Sequence, residues 1–147
     1  MTIEQLLEEK GTYVGPTVGY SMYPLLKNRR DTVVIKRKTE RLKKWDVALY
    51  KRKDDYVLHR VLEVKDWGYI IRGDNCYHDE LIPEETVIGV MTEFFRKGKH
   101  GYVTDKKYLR YVKRRLKTYK MRRVYIFTKN KIRSAIVKVL KALRLKK

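Results

Sequence analysis

The charge of this chain is concentrated at one end, and this restricts where a packed domain can form. Residues 1–96 carry 17 basic and 16 acidic side chains, whereas residues 97–147 carry 20 basic side chains and one acid, Asp105. A block of like charges is typical of a solvated or polyanion-binding extension. We therefore expect a nearly neutral domain over residues 1–104 and a polycationic tail over residues 105–147.

The first part has the pattern of a mainly β domain. Thr2 and Gln5 have the spacing of a helix-capping box and Gly11 is a stop signal, so a short helix is predicted over residues 3–9. Runs rich in β-branched and aromatic residues follow, separated by short polar turns typical of hairpins. The predicted strands are Thr32–Lys36, Val47–Lys51, Tyr56–Val64, Gly68–Arg72 and Thr86–Phe95. Consecutive hairpins indicate a coiled antiparallel sheet or partial barrel.

Three short motifs in this domain carry residue types that suit nucleophilic catalysis. A serine hydroxyl needs a base to take its proton, and an imidazole works best when a carboxylate holds its other nitrogen. Taken singly, each motif also fits a turn or a packed strand residue. In chain order they are Gly19-Tyr20-Ser21-Met22-Tyr23-Pro24, His59-Arg60-Val61 and Gly73-Asp74-Asn75.

Together, these motifs resemble the type I signal peptidase superfamily. Its nucleophile motif is Gly-x-Ser-Met-x-Pro and its later signature is Gly-Asp-Asn; both occur here, and the resemblance covers roughly residues 12 to 92. Bacterial members use a lysine base, whereas the histidine branch has a His-Arg-Val setting like that of His59. Departures from the pattern are Leu25, where many members have threonine, and Trp45, which precedes Asp46 in place of the usual glycine. Neither removes a catalytic group.

The acid is the least certain member of the predicted triad. Asp74 matches the motif directly and is the first choice, and Asp79 is the second. In eukaryotic relatives the acid lies six residues beyond the motif aspartate, a place held here by Glu80. A shift of one residue in a turn is easily absorbed, which keeps Asp79 in consideration.

The resemblance implies acyl transfer to Ser21, with His59 as general base and backbone N–H groups, including that of Ser21, binding the oxyanion. The substrate would be a peptide or protein precursor, with leader peptides as one candidate. Tyr20, Met22 and Tyr23 flank the nucleophile and are predicted to help bind substrate. No cofactor or metal is expected, since one cysteine and three histidines show no zinc-type spacing.

The tail is predicted to be helical, with an apolar stripe opposite a basic face. Such a helix is typical of an interface with anionic lipid. Nucleic acid is a less favoured partner, and packing on the domain or between subunits is the other alternative. The predicted membrane- or polyanion-binding residues are Arg114, Arg115, Lys131, Arg133, Lys138, Lys141 and Arg144.

The sequence shows no run of about 18 apolar residues and no signal-peptide pattern. We therefore expect a cytoplasmic protein, soluble or peripheral on the inner membrane face. The alternative to a peptidase is a non-catalytic or regulatory LexA-like-fold protein that binds nucleic acid or an acidic partner through the tail. Self-cleavage of the LexA kind is disfavoured, because neither Ala-Gly nor Cys-Gly occurs in the chain.

Overall fold

The computed structural model describes residues 2–144. Eight strands form one mainly antiparallel sheet, preceded by a short helix and followed by two longer helices. In chain order the elements are α1 (Ile3–Lys10), β1 (Thr12–Pro16), β2 (Thr32–Arg37), β3 (Val47–Arg52), β4 (Asp55–Lys65), β5 (Gly68–Arg72), β6 (Glu80–Pro83), a 3₁₀ turn (Glu84–Thr86), β7 (Val87–Arg96), β8 (Lys99–Tyr102), α2 (Lys106–Lys117) and α3 (Tyr119–Arg144).

The sheet is an open ladder in which β7 pairs with three strands, β2, β3 and β8. The strand order is β1-β2-β7-β3-β4-β5-β6, and β8 pairs with the end of β7. The hairpins β3–β4 and β4–β5 turn at the places expected from the sequence, with Arg52 opposite Asp55 and Lys65 opposite Gly68. The prediction of a mainly β fold with an antiparallel sheet, a short N-terminal helix and a helical C-terminal extension is confirmed at this level.

The predicted helix cap is also present. The Thr2 hydroxyl accepts a hydrogen bond from the Gln5 backbone N–H at 3.2 Å, and the Gln5 side chain accepts one from the Thr2 N–H at 2.8 Å. Gly11 ends α1 with a φ of 68°, a left-handed conformation that glycine adopts without a steric cost. The capping box therefore defines the start of α1, and Gly11 defines its end.

A cluster of apolar side chains from β3, β4, β5, β7 and the connection between β2 and β3 forms the main core. Full burial of such a side chain stabilises a fold by about 1.5–3 kcal/mol. Tyr69 contributes a polar tip as well, because its hydroxyl accepts a hydrogen bond from the Leu42 backbone N–H at 3.0 Å. The buried members are Leu42, Ala48, Tyr50, Val61, Tyr69, Ile71 and Val87.

The chain divides into two compact units, residues 1–112 and 113–147, with the division inside α2. The first unit thus includes the start of α2, where Tyr108 and Val112 are buried. No helix within residues 2–144 is long and apolar enough to span a membrane.

Candidate active site

Ser21 lies in the long connection between β1 and β2, and polar contacts close this loop at its base. Thr17 donates its backbone N–H to the Asp31 carbonyl at 2.9 Å, and the fully buried Asp31 carboxylate accepts from the Lys27 backbone N–H at 2.8 Å. Arg30 pairs with the same carboxylate at 2.6 Å. These contacts lower the pKa of Asp31 in spite of its burial, which by itself raises the pKa. The carboxylate therefore stays charged and holds the loop.

Within this loop, apolar side chains anchor the segment that carries the serine. Met22, Leu25 and Leu26 are all buried. Gly19 has a φ of 92°, a conformation that strains other residue types, and its N–H donates to Asn28 Oδ1 at 2.9 Å. The Gly-x-Ser-Met-x-Pro sequence thus supplies one left-handed turn and one buried anchor, on either side of Ser21.

His59 lies on β4, with its side chain buried beside the cleft that contains Ser21. Its Nδ1 is 3.0 Å from Glu80 Oε1 and 3.2 Å from the Tyr50 hydroxyl. The Tyr50 hydroxyl donates to Glu80 Oε2 at 2.9 Å, and Arg52 approaches the same oxygen at 3.3 Å. Tyr50 and Arg52 therefore hold the carboxylate, and the carboxylate in turn faces the imidazole.

Burial lowers the pKa of His59 below its ordinary value, although the neighbouring Glu80 acts in the opposite direction. The imidazole is therefore neutral at pH 7. A neutral ring that donates its Nδ1–H to Glu80 leaves Nε2 as an acceptor. Burial and the hydrogen bond to Glu80 raise the pKa of Tyr50, so its hydroxyl remains a donor.

Gly73 brings the serine loop and the imidazole together. A Cβ placed on Gly73 would lie 2.7 Å from the Ser21 carbonyl oxygen, 2.9 Å from His59 Nε2 and 2.8 Å from Cys76 Sγ. The Asn75 N–H also donates to the Ser21 carbonyl at 2.7 Å. The Gly-Asp-Asn turn therefore packs directly on the loop that carries Ser21, and only a residue without a side chain fits at its first position.

The structure places neither predicted acid against His59. Asp74 forms a bidentate ion pair with Arg60, with both N–O distances 2.7 Å, and accepts a hydrogen bond from the Tyr111 hydroxyl at 2.8 Å. Asp79 pairs with Arg72 at 2.8 Å. The expectation that one of these two carboxylates orients the imidazole is therefore corrected, because Glu80 is the carboxylate in contact with Nδ1.

Sequence reasoning could not place Glu80 because β6 was not predicted. Glu80 is the first residue of β6 and pairs with Ile71 of β5, which in turn pairs with Val61 of β4. The pairing of β6 with β5 and of β5 with β4 therefore places the Glu80 side chain beside His59. The available signal was the spacing of six residues from the Gly-Asp-Asn aspartate.

Ser21, His59 and Glu80 line one open cleft of about 680 Å³. Its walls are largely apolar, and the terminal strand β1 forms one side through Tyr13 and Pro16. Of the predicted substrate-binding residues, Tyr20 and the buried Met22 line this cleft, whereas the half-exposed Tyr23 is not part of its wall. The other side chains lining the cleft include Leu26, Val33, Ile35, Leu49, Val57 and Leu58.

The predicted membrane- or polyanion-binding residues all lie in the second compact unit. Arg114 and Arg115 are on the last part of α2, and the other five are on exposed positions of α3. In comparisons with known proteins, the chain matches no family model and no curated sequence.

Proposed function

We propose that this chain is a serine endopeptidase of the histidine-type, signal peptidase-like class. Ser21 is the nucleophile, His59 the general base, and Glu80 the acid that holds the imidazole. The three motifs support the class, and the position of Glu80 is the one at which eukaryotic relatives carry their acid.

One observation carries the proposal: the contact of 3.0 Å between His59 Nδ1 and Glu80 Oε1 on the wall of the cleft that contains Ser21. A carboxylate on Nδ1 fixes the tautomer whose Nε2 can accept a proton. Burial of the ring keeps that nitrogen unprotonated at neutral pH. A histidine retained only for packing would need neither arrangement.

The reaction proceeds by acyl transfer. Ser21 Oγ attacks the peptide carbonyl while His59 Nε2 takes its proton, and Glu80 stabilises the imidazolium. The imidazolium returns the proton to the leaving amine, and water then hydrolyses the acyl-enzyme by the same route. The backbone N–H of Ser21 serves as an oxyanion donor.

Within residues 2–144, the Ser21 hydroxyl forms no hydrogen bond. Catalytic hydrogen bonds are often long in substrate-free enzymes and shorten when the substrate binds. We expect the Ser21–His59 hydrogen bond to form when a substrate excludes water from the cleft.

The cleft suits an extended peptide with small or medium apolar side chains. The terminal strand β1 has one unpaired edge, and such edges bind extended segments through backbone hydrogen bonds. The apolar walls would accept side chains from alternate positions of that segment. Precursor or leader peptides have this extended form.

A covalent serine probe tests the proposal without a known substrate. The chain has only two serines, Ser21 and Ser134, so intact-mass and peptide mass spectrometry can assign any adduct. A fluorophosphonate should label Ser21 in the full chain, and His59→Ala should reduce the labelling rate at least about 1,000-fold. Cleavage of a mixed peptide library should be lost in Ser21→Ala.

Ser134→Ala and His100→Ala are matched controls, because both side chains lie outside the cleft lining. They should label and cleave like the natural chain. Equal labelling of Ser21 in His59→Ala, or library cleavage that persists in Ser21→Ala, would refute the mechanism.

A further inference from the structure

Helix α3 carries an apolar stripe that is interrupted once, between Tyr125 and Ile132. It has 26 residues, which corresponds to about 39 Å at the usual rise per residue, and none of them is buried. The stripe residues recur at the short intervals that keep side chains on one side of a helix. They are between 53% and 73% exposed: Met121, Tyr125, Ile132, Ile136, Val139, Leu140 and Leu143.

The rest of the helix surface is strongly cationic. Residues 106–147 contain no Asp or Glu at all. At 100° per residue, most of the basic side chains of α3 lie outside the stripe, whereas Lys129 lies within it and Arg122 at its edge. Those on the far side include Lys120, Arg123, Lys131, Lys138 and Lys141, whereas Arg133 and Arg144 flank the stripe.

These two surfaces restrict which partner fits α3. A second copy packed on the stripe would bring Arg122 and Lys129 against like charges, with no acid on either helix to compensate. A nucleic acid would contact the basic face and leave the apolar stripe in water. An anionic bilayer satisfies both surfaces, because apolar side chains enter the acyl boundary while lysines and arginines reach the headgroups.

We propose that α3 is an interfacial helix that binds the surface of an anionic lipid bilayer through its apolar stripe. It lies in the plane of the headgroups, with the stripe toward the acyl chains and the basic face toward phosphate and water. This site is independent of the peptidase proposal, since none of its residues lines the cleft.

Two double substitutions that remove the same residue types distinguish the contribution of the apolar stripe from that of the charge. Ile136→Ser with Val139→Ser removes two stripe residues, whereas Ile126→Ser with Val137→Ser removes the same residue types from positions outside the stripe. Val137 and Val139 are 43% and 59% exposed and lie about 200° apart around the helix. Both double variants keep the full positive charge.

The experiment is co-sedimentation of the full chain with vesicles of phosphatidylcholine alone or mixed with phosphatidylglycerol. The natural chain should bind the mixed vesicles and not the neutral ones. The stripe pair should bind them at least about tenfold more weakly, while the control pair stays within about twofold. Circular dichroism checks that both pairs keep their helix content.

A second variant tests the headgroup contact without altering the stripe. Lys131→Gln with Lys138→Gln should weaken binding to the mixed vesicles about tenfold or more. Equal binding of the stripe and control pairs would overturn the proposal and indicate a general polyanion contact, which a DNA duplex would then share. A dimer in analytical ultracentrifugation that only the stripe pair dissociates, with vesicle binding unchanged, would overturn it in favour of a second copy.

Discussion

Glu80 and Asp79 are neighbours in sequence but have different partners. Glu80 faces the imidazole at 3.0 Å, whereas Asp79 pairs with Arg72 near the surface. Neutralising one or the other by an isosteric amide therefore distinguishes the two roles without a change of side-chain size.

We expect Glu80→Gln to reduce the rate of Ser21 labelling and of peptide cleavage on the order of 10,000-fold, because the amide no longer fixes the correct tautomer. Asp79→Asn is the matched control and should retain most of the activity. Labelling kinetics on both variants, with urea unfolding to compare their stability, check this. A larger loss in Asp79→Asn than in Glu80→Gln would contradict the assignment of the acid.

The pH dependence follows from the lowered pKa of His59. In the proposed mechanism His59 acts in its neutral form, so the labelling rate should rise with pH through a pKa below about 6.5 and stay level near pH 7. The same shift implies that stability is greatest above the unfolded pKa and falls as the pH drops through the folded one. A rate that rises only at pH 9 or above would instead indicate a lysine base.

At Gly73 the expected effect is steric. Gly73→Ala would push its Cβ into His59 Nε2 and the Ser21 carbonyl. A displacement of about 1 Å at a catalytic group reduces the rate on the order of 100-fold. Labelling should fall accordingly, whereas Gly98→Ala strains a turn with a φ of 73° outside the cleft lining and should leave the rate unchanged. Unaltered labelling in Gly73→Ala would show that the close contact does not control the geometry.

At the scale of elements, the start of α2 is joined to the sheet by a buried polar cluster. Arg60 is fully buried and donates to Asp74, to the Trp45 carbonyl at 3.0 Å and to the Tyr108 hydroxyl at 2.8 Å. The Asp74 charge raises the pKa of Arg60 in spite of its burial. Asp74 is thus a structural residue that holds the Gly-Asp-Asn turn in place.

Breaking this cluster should affect stability more than chemistry. Asp74→Asn leaves a buried guanidinium without its counter-ion, which costs about 3–5 kcal/mol, and Tyr108→Phe removes one hydrogen bond, which costs about 1–3 kcal/mol. Urea unfolding measures both, with Tyr102→Phe at a half-exposed position as the control. A normal unfolding midpoint in Asp74→Asn would contradict the structural role.

The strands that the sequence predicted share one property, which is a run of β-branched or aromatic residues between short polar turns. All five predicted strands agree with the structure to within one residue at each end. The three missed strands are short or interrupted: β1 ends in Gly15 and Pro16, β6 has four residues, and β8 contains Gly101. Such strands form because they pair with other strands of the sheet. Their own residues therefore do not predict them.

At the scale of the whole molecule, the position of the division in α2 has a testable effect. A chain ending at Val112 keeps Tyr108 and Tyr111, whereas a chain ending at residue 104 loses the hydrogen bonds they make to Arg60 and Asp74. We expect residues 1–112 to unfold at nearly the urea concentration of the full chain and residues 1–104 to be strongly destabilised. Similar midpoints for both truncations would show that α2 adds nothing to the first unit.

The neighbours His59 and Arg60 project from opposite faces of β4, one toward the cleft and the other toward α2. A slip of one residue in the pairing of β4 would exchange them, placing a guanidinium in the cleft and an imidazole against Asp74. The slipped chain would lose the buried ion pair between Arg60 and Asp74. The contact that stabilises the domain therefore also disfavours the slipped register. The ion pair on one face of the sheet therefore favours the register that places His59 in the cleft on the other face.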